Sequence, residues 1–218
     1  MKTAIVACAV MEKELQYIFS EEGLDYPIVW IESALHDVPK KLHARLEEEL
    51  EKLQAERVIL TFGLCGNSVI GLRADSREYI LPKADDCITM LLGSRERRRK
   101  LNSELAAYYL MEGWLRGPKT PMQELQRVRE RYGEKLGQEI IEVMYQNYRS
   151  LCLLDTGLSD LEQLKGECQP VAEITGTEVC VETGTLDWLR RLILGPWDSE
   201  NFIVKHPGEE ITEADFLC

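Results

Sequence analysis

The sequence predicts an α/β fold in which mostly parallel sheets are flanked by helices. Short apolar runs alternate with amphipathic stretches, and several of these runs are continuous, as in strands buried on both faces. The alternation occurs twice and is interrupted at Gly117 and Pro118. We therefore expect two Rossmann-like lobes, 1–116 and 117–218, with a cleft between them. The alternative is one sheet with a helical insertion.

The first half contains four predicted strands, at 3–10, 27–31, 57–62 and 78–81. Helices are expected at 12–22, at 40–54 and from Cys87 onward. Gly23 ends the first of these helices, and Pro39 lies near the first turn of the second. Right-handed crossovers between parallel strands place the loops that follow the strands on one edge of the sheet. Ligands of such sheets bind at that edge.

The second half repeats the pattern. Residues 106–115 are interpreted as a strand or a lid, and residues 121–148 as a long helix that Gly133 and Gly137 can bend. Strands are expected at 151–154, 179–181 and 201–205. Ser159 is predicted to cap a helix that runs to Lys165. A further helix is predicted to begin at Thr185 or Asp187 and to end at Leu194.

Composition limits the classes of partner. The chain has 218 residues, of which 44% are hydrophobic and 29% charged, as in a globular protein. A net charge of −12 argues against nucleic acid and anionic membranes, because binding to them needs clustered Lys and Arg. No apolar run reaches the roughly 20 residues of a membrane span. The expectation is a cytoplasmic protein with neither nucleic acid nor membrane as partner.

Cysteine usage argues against a disulfide framework. The seven cysteines are an odd number, are widely spaced and include no CxxC pair. In a reducing cytosol they would be buried thiols, metal ligands or reactive thiols.

Four residues occur where predicted strands end. Cys8 ends the first strand, and His36, Cys65 and Cys87 follow the second, third and fourth. Because these strand ends share one edge of the sheet, we hypothesise that the four side chains converge on one metal ion. Thiolates and imidazole suit zinc, copper(I) or iron. Burial in the core is the alternative interpretation, above all for Cys8.

Some of the same residues are candidates for catalysis. A Cys65 nucleophile with His36 as its base is one possibility. Asp86 is a candidate general acid or base, although a helix-terminus role is the alternative.

Other residues are candidates for binding a cofactor. Gly66 and Asn67 adjoin Cys65, and a glycine there would let a ligand approach closely. Trp114 could form the wall of a flat site, with core packing as the alternative. Asp155 ends a strand of the second half and could face the same ligand.

Several segments together resemble the DUF1638 family of anaerobic bacteria and archaea. They are Leu35-His36-x-x-Pro39, Phe62-Gly63-Leu64-Cys65-Gly66-Asn67, Asp86-Cys87-Ile88 with Leu91-Leu92-Gly93-Ser94, Tyr109-Leu110-x-x-Gly113-Trp114, Asn147-Tyr148, Asp155-Thr156-Gly157 and Leu194-Gly195-x-Trp197-Asp198. The resemblance implies a setting in anaerobic one-carbon metabolism, beside corrinoid-dependent methyltransferases. A corrinoid is then a possible cofactor, and a corrinoid protein or a small molecule a possible partner. The chain departs from its relatives at Ala107-Tyr108, where Gly-Thr is usual.

Three function hypotheses remain open. The first is a zinc- or iron-binding protein linked to corrinoid-dependent methyl transfer or cofactor handling. The second is a two-lobed binding module for a small molecule or a corrinoid, without catalysis. The third is an enzyme with a cysteine nucleophile. The sequence does not decide whether the protein is an enzyme.

Overall fold

A computed structural model of the chain describes residues 2–217, apart from the side chain of Leu105. The last of the seven cysteines, Cys218, lies outside the described residues. The strands are β1 (Thr3–Cys8), β2 (Ile28–Ile31), β3 (Arg57–Leu60), β4 (Glu78–Pro82), β5 (Ala107–Leu110), β6 (Ser150–Asp155), β7 (Glu178–Thr183) and β8 (Phe202–Lys205). The helices are α1 (Glu12–Glu22), α2 (Pro39–Lys52), α3 (Cys87–Leu91), α4 (Arg95–Leu105), α5 (Glu112–Leu115), α6 (Pro121–Tyr145), α7 (Leu161–Thr175) and α8 (Asp187–Leu194).

The strands form two sheets. The first has the order β2-β1-β3-β4-β8, in which all neighbours are parallel except β8, which runs antiparallel to β4. The second has the order β5-β6-β7 and is entirely parallel. The predicted α/β class with mostly parallel sheets is therefore confirmed.

The chain divides into two compact units. The first unit contains the described residues up to Arg95 and those from Thr185 onward, and the second is Glu96–Gly184. The predicted division at 116 thus lies inside the second unit. The reason is that β5 pairs with β6 and so belongs to the second sheet. In addition, β8 pairs with β4 and brings the end of the chain back into the first sheet. The chain leaves and re-enters the first unit at neighbouring points, because the Thr185 amide donates a 2.7 Å hydrogen bond to the Leu91 carbonyl.

The first unit has its core between the sheet and the helices that cover it. Leu42, Leu46 and Leu50 of α2 are buried at helical spacing and pack with strand residues such as Val6 and Leu60. The strands are continuous apolar runs because helices cover them, and this explains why they could be recognised in the sequence.

The second unit has a core of its own. Leu110, Leu151 and Leu153 of the sheet pack against buried residues of α6 and α7, among them Ile141 and Cys168. The segment at 106–115 forms both β5 and the short α5. No helix in the described part of the chain is long and apolar enough to cross a membrane.

Two helices of the second unit can be compared with expectation in detail. Helix α6 changes direction at Gly133, which has φ 77° and ψ 169°, as predicted for this glycine. Helix α7 is capped by Asp160, whose side chain accepts from the Gln163 amide, so the predicted cap at Ser159 is wrong. This helix also continues well past 165, because the later residues Cys168 and Val171 are buried in the core.

Candidate functional site

The loops that follow β3 and β4 are joined by backbone hydrogen bonds. The Leu64 amide donates to the Ala84 carbonyl and the Cys65 amide to the Asp85 carbonyl, both at 2.8 Å. Gly63 makes this approach possible, since a Cβ atom there would lie 2.4 Å from the Ala84 oxygen. The pairing of the two strands is thereby extended into the loops that carry the candidate residues.

The turn that carries Cys65 has an uncommon backbone. Cys65, Gly66 and Asn67 have φ values of 45°, 68° and 71°, so three consecutive residues are left-handed. This region costs a residue with a side chain about 1–2 kcal/mol. A Cβ at position 66 would also lie 2.9 Å from Cγ of Pro39. The side-chain amide nitrogen of Asn67 donates to a carboxylate oxygen of Glu213 at 3.2 Å, and this bond helps to hold the turn.

Cys87 and Cys8 are brought to the same place by their own elements. Cys87 is the first residue of α3, and Asp86 caps this helix by accepting from both the amide and the hydroxyl of Thr89, each at 2.7 Å. Cys8 ends β1, and its amide donates to the Thr61 hydroxyl just beyond β3 at 3.3 Å. Strand order alone therefore places Cys8 beside the loop that follows β3.

Cys8, Cys65 and Cys87 form what we call the thiol cluster. Burial raises the pKa of Cys65 to about 12, and the charges of Cys8 and Asp86 contribute to the rise. Burial also raises the pKa of Cys87 well above its ordinary value, with further contributions from Asp86, Cys8 and Cys65. Burial raises the pKa of Cys8, partly opposed by a hydrogen bond with the backbone of Val10. All three groups are consequently neutral thiols at pH 7.

His36 lies in the 3-10 turn Ser33–Asp37 that follows β2. Its Nδ1 contacts the carbonyl oxygen of Ser33, and its Nε2 lies 3.2 Å from a carboxylate oxygen of Asp37. Its side chain is 48% exposed. Within residues 2–217, no three Cys, His, Asp or Glu side chains are already arranged to hold a metal ion. The predicted four-ligand site is thus not preformed there, and metal binding stays a prediction.

The other candidate residues are distributed over both units. Gly66 and Asn67 belong to the first unit, whereas Trp114 and Asp155 belong to the second. Trp114 packs against the core of the second unit, which agrees with the core-packing alternative. Asp155 accepts from the Gly157 amide at 2.8 Å and so shapes the turn after β6. A role of these residues in binding a cofactor stays a prediction.

A second group of chemically active side chains was not anticipated. Tyr109, Cys152 and Cys180 occupy matching positions on β5, β6 and β7. The guanidinium carbon of Arg98 lies 4.3 Å from the centroid of the Tyr109 ring. Each of the three residues is the third of its strand, and this shared position is the one sequence signal that could have identified the group.

The family model described as "Protein of unknown function (DUF1638)" matches residues 30–193. The chain belongs to the DUF1638 family. The match covers about three quarters of the chain, and the resemblance seen in the sequence is confirmed. The DUF1638 match includes Cys65 and Cys87, while Cys8 lies before it. No curated protein and no solved structure matches the chain.

Proposed function

We propose that this DUF1638 protein binds zinc or iron through the thiol cluster, with His36 as the fourth ligand. The observation that carries the proposal is the cluster itself. Three separate strand ends each supply one cysteine. Cys8 raises the pKa of Cys65, and both raise the pKa of Cys87. A group of structural thiols in an apolar core needs no such convergence at the ligand-binding edge of a parallel sheet.

A bound metal ion would offset the repulsion between the thiolates of the cluster. Three thiolates repel one another, and this repulsion contributes to the raised pKa values of Cys65 and Cys87. A divalent cation favours the deprotonated form, so binding releases the thiol protons. The side chains would have to turn toward the ion, and rotation about the Cα–Cβ bond of each cysteine allows this.

The same pKa values make the nucleophile hypothesis less favourable. The reactive form of a cysteine is the thiolate, and a thiol with a pKa of about 12 is almost entirely protonated at pH 7. Reactive cysteines have a lowered pKa, whereas burial and Asp86 raise that of Cys65. A bound metal ion would supply the thiolate form without a separate base.

The proposed role is in anaerobic one-carbon metabolism in the cytoplasm, in corrinoid-dependent methyl transfer or cofactor handling. The family context supports this role. Zinc held by three thiolates has a fourth position, and His36 or a substrate would fill it. With a substrate there, a bound ion would supply Lewis-acid chemistry toward a thiol or methyl acceptor. Gly66 and Asn67 would then border a small-molecule ligand or a corrinoid.

The test is a titration of metal-free protein with Co²⁺ under anaerobic, reducing conditions. Thiolate-to-cobalt absorption in the near ultraviolet reports the sulfur ligands, and the visible bands report the geometry. We expect one equivalent to bind to the wild type and added Zn²⁺ to displace it. Cys65→Ala and Cys87→Ala should lose most of this absorption.

Cys168→Ala is the matched control, because Cys168 is a buried thiol of α7 in the core of the second unit. It should retain the wild-type spectrum. His36→Ala should preserve the thiolate absorption and shift the visible bands. The proposal fails if wild-type protein prepared anaerobically holds no metal and binds no Co²⁺. An unchanged spectrum in both Cys65→Ala and Cys87→Ala would also refute it. The metal-free outcome would leave the binding-module hypothesis.

A further inference from the structure

The second sheet contains a pair of thiols at matching positions of adjacent strands. Cys152 on β6 and Cys180 on β7 are register partners, and neighbouring strands lie about 4.8 Å apart. Their side chains therefore leave the same face of the sheet, and Cys180 raises the pKa of Cys152. Tyr109, the partner of Cys152 on β5, extends the row. This face is opposite to the one that carries the hydrophobic core, because residues such as Leu153 alternate with Cys152.

The surroundings of the pair carry charges of both signs. Burial raises the pKa of Cys152, Cys180 and Glu182 raise it further, and the guanidinium group of Arg98, which lies over the Tyr109 ring, opposes them with a smaller effect. The nearby carboxylate of Glu182 is engaged by Arg97 at 3.2 Å. The Tyr109 hydroxyl is buried and has no hydrogen-bond partner among the described residues.

The thiol pair is accessible from one side. Cys152 is fully buried, whereas Cys180 is partly exposed and lies on β7, a strand at the edge of its sheet. An ion can therefore reach Cys180 first and then bridge to Cys152.

We propose that Cys152 and Cys180 bind one monovalent copper ion between their sulfur atoms. Soft thiolate ligands select copper(I), and this ion accepts two ligands in a linear arrangement. Zinc in structural sites takes four ligands, and no third Cys, His, Asp or Glu joins the pair in a metal-holding arrangement within the described chain. On binding, two S–H bonds break, two Cu–S bonds form, and two protons leave to solvent. The oxidation state of copper does not change, and the product carries a single negative charge.

The experiment must separate this site from the thiol cluster. The Cys8→Ala/Cys65→Ala/Cys87→Ala variant is titrated with Cu⁺ under anaerobic conditions, in competition with the copper(I) chelator bicinchoninate. We expect one equivalent of Cu⁺ to be withheld from the chelator, with release of two protons. X-ray absorption should show two sulfur ligands. When Cys180→Ala is added to this triple variant, the bound equivalent of Cu⁺ should be lost. When Cys168→Ala is added instead, it should be retained.

The same difference is measured in the otherwise wild-type chain, so the test does not depend on the folding of the triple variant. Cys180→Ala should bind one equivalent of Cu⁺ fewer than wild type, while circular dichroism shows the wild-type fold. Cys180 is the better position for the substitution because it is only partly buried. The proposal is overturned if Cys180→Ala and wild-type protein withhold the same amount of Cu⁺, or if neither withholds any.

Discussion

The backbone amide of Cys65 donates a hydrogen bond to the carbonyl oxygen of Asp85, 2.8 Å away and beyond the last paired residues of β3 and β4. This bond fixes the distance between the loop that carries Cys65 and the helix that begins at Cys87. The thiol cluster therefore depends on backbone contacts as much as on its side chains, and substitutions of the backbone-determining residues should reveal this.

Gly63→Ala should destabilise the protein. The new Cβ would lie 2.4 Å from the Ala84 oxygen, so the two loops must separate. We expect the free energy of unfolding to fall by about 1–3 kcal/mol, measured by urea denaturation. Gly166→Ala is the control: it lies on the exposed side of α7, nothing is within 4 Å of its Cβ, and it should gain about 0.5–1 kcal/mol. Equal effects of the two substitutions would contradict the role given to Gly63.

Asp86→Asn should separate the charge of Asp86 from its capping function. Asparagine caps helices about as well as aspartate, so stability should change little, whereas Asp86→Ala should cost about 0.5–2 kcal/mol. Removing the negative charge lowers the pKa of both Cys65 and Cys87. In metal-free Asp86→Asn, the alkylation of these cysteines by iodoacetamide should shift to lower pH, as measured by mass spectrometry. The profile of Cys168 should not move, and an unshifted Cys65 profile would count against the electrostatic coupling.

Cys65→Gly should be more stable than Cys65→Ala. Position 65 has φ 45°, where a side chain costs about 1–2 kcal/mol and glycine is unstrained. The greater flexibility of glycine in the unfolded chain offsets about 0.5–1 kcal/mol of this difference. Thermal unfolding of the two variants would show the order. At Cys168, inside α7, the order should be reversed. Cys168→Gly should be less stable than Cys168→Ala by about 1 kcal/mol, because glycine is a poor helix former.

Stability of the metal-free protein should fall at alkaline pH. The unfolded chain releases the Cys65 proton at its ordinary pKa of 9.0, whereas the folded protein retains it up to about 12. Between these values the folded state binds more protons, so its stability falls as pH rises, by about 1.4 kcal/mol per pH unit for each such thiol. Urea denaturation at pH 9, 10 and 11 measures the slope.

Cys65→Ala should make this slope shallower by about 1.4 kcal/mol per pH unit, the contribution of one proton. Ser68→Ala is a suitable control, because Ser68 is also buried but carries no group that titrates in this range. A slope unchanged by Cys65→Ala would mean that the thiol is not held neutral in the folded state.

Much of the fold could be predicted because its strands are buried on both faces. Continuous apolar runs such as those around Val6 and Ile59 are typical of parallel sheets, and the position of each strand followed from them. The grouping of Cys8, Cys65 and Cys87 rested on one topological rule, that parallel strands end on the same edge. The rule accounts for the pKa effects of Cys8 on Cys65 and Cys87, whereas the convergence of their side chains on one ion stays a prediction.

The parts that could not be predicted depend on contacts between distant segments. Local pattern indicates that residues 201–205 form a strand, but not that this strand pairs with β4 of the first unit. Likewise, the register of β6 and β7 brings Cys152 to Cys180, and no local signal specifies register. The sequence indicates that Gly63 is a turn residue. It does not show that a glycine is needed there because the Ala84 carbonyl oxygen packs against its Cα. His36 was placed by the same edge rule, which says nothing about the direction of a side chain in a 3-10 turn.

The position of β8 affects the order in which the protein can fold during synthesis. Chains leave the ribosome from the N-terminus, so β1, β3 and β4 emerge before the whole second unit, and β8 emerges after it. Until then, one edge of β4 has backbone groups without a strand to pair with, a state prone to association with other chains. The residues of the thiol cluster are thus synthesised long before the strand that completes their sheet.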